Sequence, residues 1–113
     1  MYLTNRAALI VKAKQPFIDW INYVGEDDLV FSLEMVNRES RVYLIPEHDT
    51  PKELEVIIQD IYKEIFEDEL LSFHTDSSAW PEIKYQRFLD WFDLKVHSMV
   101  IDMCEDEIES EEY

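Results

Sequence analysis

The stretch from residue 41 to residue 65 constrains the fold more than any other part of the chain. Arg41-Val42-Tyr43-Leu44-Ile45-Pro46 is rich in β-branched and aromatic side chains and reads as a strand that Pro46 stops. Shortly after it, Thr50-Pro51-Lys52-Glu53 combines a capping hydroxyl, a proline at the first helical position and a glutamate at the third. Leu54, Ile58, Ile61 and Ile65 then recur at helical spacing, and Ile57 and Tyr62 widen the stripe. This predicts an amphipathic helix ending near residue 70. A strand feeding a one-sided helix commits the chain to helices packed on a sheet.

The other segments fit that frame. Residues 5–12 read as a strand with Ala7, Leu9 and Val11 on one face and Ala8 and Ile10 on the other, which predicts a central place in the sheet. Pro16 opens a helix with Phe17, Trp20, Ile21 and Val24 at helical spacing, and Gly25 ends it. Glu26-Asp27-Asp28 is turn-like. Residues 29–36 are open to two readings: alternation favours a strand, while Ser32 can cap a short helix from Leu33 to Arg38. Residues 72–80 are a polar loop, and Pro81 starts a helix with Tyr85, Phe88, Leu89 and Phe92 inward. Residues 93–103 read as the last strand.

With a strand at 29–36 the order is β-α-β-β-α-α-β, a ferredoxin-like order with one extra helix. With a short helix there the sheet has three strands. Either way the expected class is α+β, with a layered sheet carrying its helices on one face. Apolar residues on the other face then need cover, and a homodimer is the simplest source.

Residues 1–104 are expected to form a single domain and residues 105–113, with six acids among the nine, a disordered acidic tail. Cys104 has no partner for an internal disulfide, and no leader pattern or membrane-length apolar run occurs, so a cytoplasmic setting is expected. The 26 acids against ten bases give a net charge of −16. That surface repels phosphate backbones and anionic lipid, so neither direct nucleic-acid binding nor membrane binding is expected. It suits a basic protein partner.

Three stretches are similar to a small uncharacterised bacterial protein family: residues 14–22 (Lys-Gln-Pro-Phe-Ile-Asp-Trp-Ile-Asn), residues 42–47 (Val-Tyr-Leu-Ile-Pro-Glu), and Trp91-Phe92 with His97-Ser98-Met99-Val100-Ile101-Asp102. The resemblance implies a whole-domain match and a bacterial cytosolic source. It carries over no activity and no site residue.

Chemistry has few places to sit. With one glycine, the chain can build no P-loop or dinucleotide fingerprint. His48, His74 and His97 each have a carboxylate near in sequence, but without metal-ligand spacing, so no metal site or cofactor is expected. His74, Asp76, Trp80 and His97 form the candidate pocket of a small enzyme or metal-binding protein. Lys12 and Lys14, before a helix N-terminus, are a candidate anion site. His97 is expected on a sheet face, in a mostly apolar surround with one polar partner. Cys104, beside Glu105 and Asp106, is a poor nucleophile.

With no catalytic constellation, the reading is a non-enzymatic binding or accessory protein acting through protein–protein contacts. A narrower version is a DNA mimic, in which Glu53, Asp60, Glu64, Glu67 and Asp68 along the long helix imitate phosphates.

Overall fold

A computed structural model describes residues 1–26 and 28–113; Asp27, within the expected turn, lies outside the described residues. The order is β1 (Tyr2–Leu3), β2 (Arg6–Ala13), α1 (Gln15–Val24), α2 (Leu33–Asn37), β3 (Arg41–Pro46), α3 (Pro51–Leu71), α4 (Tyr85–Trp91), β4 (Phe92–His97) and β5 (Ile101–Asp102), with a 3-10 turn at Ser77–Ala79. The class is α+β.

The main sheet has three strands in the order β3-β2-β4, and β2 runs antiparallel to both neighbours. The strand reading of 29–36 fails, and with it the four-stranded ferredoxin-like order; the three-stranded alternative holds. The cause is local. Phe31, which a strand would pair with a neighbour, gives its N–H to Asn22 Oδ1 at 2.8 Å, and its carbonyl accepts from Asn22 Nδ2 at 3.0 Å. One residue later Ser32 turns the chain into α2, its hydroxyl accepting from the Met35 N–H. Strand β3 is therefore an edge strand.

The last strand is also interrupted. Residues 98–100 lie between β4 and β5, and the pairing register shifts by one between Ala8↔His97 and Leu3↔Ile101. Such a shift marks a bulge. Beyond it β1 and β5 form a two-stranded arm, tied at its base by the Thr4 N–H to the Val100 carbonyl at 2.9 Å.

All the packed helices lie on one face of the sheet. Ala7, Leu9, Val11 and Ala13 of β2 join Ile45 and Phe92 beneath Phe17 and Ile21 of α1, Ile58, Ile65, Phe66 and Leu70 of α3, and Phe88 of α4. The aromatic centre is continuous: Phe17 meets Phe92 at 4.8 Å between ring centroids, and Phe66 meets Phe92 at 5.4 Å edge to face. Helix α3 starts as its signature requires. Thr50 Oγ1 accepts from the Glu53 N–H at 3.1 Å, and Glu53 Oε2 accepts from the Asp49 N–H at 2.8 Å. Helix α4 starts at Tyr85, so Pro81 precedes it by four residues rather than opening it.

Candidate functional site

The sequence-derived pocket does not assemble as a unit. His74, Asp76 and Trp80 share the loop after α3, on the helical side. Trp80 donates from Nε1 to the His74 carbonyl at 2.8 Å, and Trp20 donates to the Ala79 carbonyl at 3.1 Å. The Trp80 indole braces the loop internally, and the Trp20 indole pins it to α1. Asp76 Oδ1 accepts from both the backbone N–H and the hydroxyl of Ser78, and the Ser78 hydroxyl is the main reason its pKa is lowered. Its role in the loop is that of a turn-forming cap.

His97 lies elsewhere. It ends the edge strand β4, is exposed, and pairs across to Ala8, whose side chain shares the helix-free face. The expected polar partner is not found: among the described residues no side-chain hydrogen bond to His97 is present, and the ring is exposed. The two lysines part as well. Lys12 is exposed on the helix-free face, whereas Lys14 Nζ donates to the Leu89 carbonyl at 2.9 Å, in the last turn of α4. Among the described residues no three His, Cys, Asp or Glu side chains converge as a metal site needs.

Two surfaces stand out, the first of them a cleft the sequence did not show and the second the sheet face expected to need cover. The first is a cleft of about 560 Å³ between β3 and α3. Ile45, Ile61 and Leu71 supply apolar walls, while Glu64, Glu67 and Asp68 line it with acid. Its acids come from α3 at helical spacing, which the sequence shows; its apolar wall depends on where β3 docks. The cleft is bordered by a polar cluster. Asp68 pairs with Arg41, and Tyr43 Oη lies 2.8 Å from Asp68 Oδ2 and 2.9 Å from Glu69 Oε1. One phenolic proton serves only one of these carboxyl groups. Burial raises the pKa of Glu69 above the ordinary glutamate range. Burial, followed by the neighbouring Glu69 charge, also raises that of Tyr43 and keeps the phenol neutral.

The second surface is the helix-free face of the sheet. Directly paired residues share a face, so this face carries Arg6, Ala8, Ile10 and Lys12 from β2, Val42 and Leu44 from β3, and Asp93, Lys95 and His97 from β4. Val42 is 57% and Leu44 53% exposed. In a chain with 26 acids, the paired strand residues of this face include three of the ten bases and, among the described residues, one acid, Asp93.

No protein-family model, curated protein or solved structure matches the chain. Among the described residues no helix is long and apolar enough to cross a membrane.

Proposed function

We propose that this protein is a non-enzymatic binding module that holds a basic segment of another protein in the cleft between β3 and α3. The observation that carries the reading is the composition of that cleft: an apolar wall of Ile45, Ile61 and Leu71 beside the carboxylates of Glu64 and Glu67. A segment alternating apolar and cationic side chains satisfies both, the apolar groups by burial and the cations by pairing. Exposed Leu71, half out in solvent, gains most from cover. The setting this reading assumes is cytoplasmic, where the free, exposed Cys104 stays reduced.

The DNA-mimic version draws less support. Two of its five acids have other work: Glu53 caps α3 and Asp68 pairs with Arg41. The enzyme reading keeps only His74, Asp76 and Trp80 together, and the His74 carbonyl, the Asp76 carboxylate and the Trp80 indole are engaged within the loop.

A fluorescently labelled peptide of alternating lysine and leucine tests the proposal by anisotropy. Binding is expected to weaken steeply with salt and to be lost in a Glu64→Lys/Glu67→Lys double variant. Leu71→Asp should weaken it at any salt. Equal binding by wild type and the double variant contradicts the reading.

A further inference from the structure

We infer that the helix-free face of the sheet is the docking surface for a second copy of this chain, and that the segment it receives is the partner copy's acidic tail, residues 105–113. This surface lies on the other side of β3 from the cleft; Leu44 borders both, and Tyr113 at the end of the tail lines the cleft of its own chain.

The face has two properties that must be matched together. Val42 and Leu44 leave apolar area in water next to half-buried Ile10. Arg6, Lys12 and Lys95 surround that strip with positive charge, offset only by Asp93. An occupant therefore needs acids and an apolar side chain on one extended segment. The tail, Glu105-Asp106-Glu107-Ile108-Glu109-Ser110-Glu111-Glu112-Tyr113, has both. Its nine residues reach about 30 Å when extended, enough to cross a sheet whose strands are six to eight residues long.

The connection also suits exchange between copies. The tail leaves from β5, at the end of an arm that projects past the main sheet with Leu3, Met99 and Met103 exposed. The chain's own tail is exposed along its length, and its last residue, Tyr113, lines the β3–α3 cleft on the helical side. Its one side-chain hydrogen bond, Tyr113 Oη to Asp68 Oδ1 at 3.3 Å, is on the helical side of β3. Two copies related by a two-fold axis can each lay arm and tail across the other's bare face, which gives a closed, self-complementary dimer. The exchange places opposite charges together in a molecule whose net charge of −16 otherwise opposes self-association. A nucleic acid suits the face less well, because its central row of Ala8, Ile10, Val42 and Leu44 has no aromatic ring on which a base could stack.

The test is sedimentation velocity on the full chain under reducing conditions, at about 50 mM and about 500 mM salt. A dimer is expected at low salt and a monomer at high salt. Deleting residues 105–113 should give a monomer at both, with an unchanged melting curve showing that the domain still folds. Lys12→Glu/Lys95→Glu, two exposed changes that leave the tail in place, should also give a monomer, and excess free peptide of residues 105–113 should dissociate the wild-type dimer. A full-length monomer at low salt overturns the inference, as does a dimer that survives both the deletion and the charge reversal. Binding of a single-stranded oligonucleotide at Lys12 and Lys95 in place of self-association overturns it as well.

Discussion

The carboxamide of Asn37 pairs with both backbone groups of Ala13: Oδ1 accepts the Ala13 N–H at 2.8 Å, and Nδ2 donates to the Ala13 carbonyl at 3.0 Å. Ala13 is the last residue of β2 and pairs with Phe92 on its other side, while β3 begins only opposite Val11. Asn37 therefore stands where a longer β3 would run. Asn37→Ala should destabilise the domain by about 1–3 kcal/mol, because it leaves two part-buried backbone groups without partners. Asn37→Asp keeps the acceptor and loses the donor, so it should fall between the two. Urea unfolding measures both; an Ala variant within a few tenths of wild type would show that water replaces the amide freely.

Thr50 caps α3 through its hydroxyl. Thr50→Ala should cost about 1 kcal/mol, and Thr50→Ser much less. A Ser variant as damaged as the Ala variant would mean that the methyl group matters and the cap does not.

Phe66 is fully buried and touches Phe88, Trp91 and Phe92 with its ring. Phe66→Ala should cost about 3–5 kcal/mol, a large share of what a domain this size has to lose. Val56→Ala, on the exposed side of the same helix, should change stability by less than about 0.5 kcal/mol.

The Tyr43–Asp68–Glu69 cluster gives stability a pH dependence. Glu69 has a raised pKa in the folded state, so the fold binds its proton more tightly than the unfolded chain does. Its contribution is present in full below the ordinary glutamate range and is lost as pH rises through the raised value. Glu69→Gln keeps a neutral group there at every pH. The variant should match wild type at acidic pH and melt a few degrees higher at neutral pH. A variant less stable than wild type at neutral pH would show that the charged carboxylate is the favoured form.

The parts of this fold written locally were open to reading. Helix α3 carries its own start signal, and β3 its own stop at Pro46. What misled was the source of order in residues 29–36. Alternating Leu29, Phe31, Leu33 and Met35 look like a strand, but Asn22, from α1, takes up the backbone of Phe31. No pattern within the segment announces that. The two-faced apolarity of β2 was visible, and so were Arg6 and Lys12 at the ends of its second row. β2 is central as its two rows predict, but those end charges mark one of its faces as bare rather than covered. The sequence places His97 on a strand and His74 in a loop, but does not show that β4 is an edge strand whose face carrying Asp93, Lys95 and His97 turns away from the helices.

The central claim is that the cleft between β3 and α3 takes a basic segment by shape and charge together, and not by charge alone. Amide chemical-shift mapping of the full chain with the lysine–leucine peptide, repeated with a polylysine peptide of equal charge, tests it most directly. The account predicts shifts concentrated at Ile45, Ile61, Glu64, Glu67 and Leu71 with the mixed peptide, and much weaker binding of polylysine. Equal, diffuse shifts over the acidic surface with both peptides would contradict it.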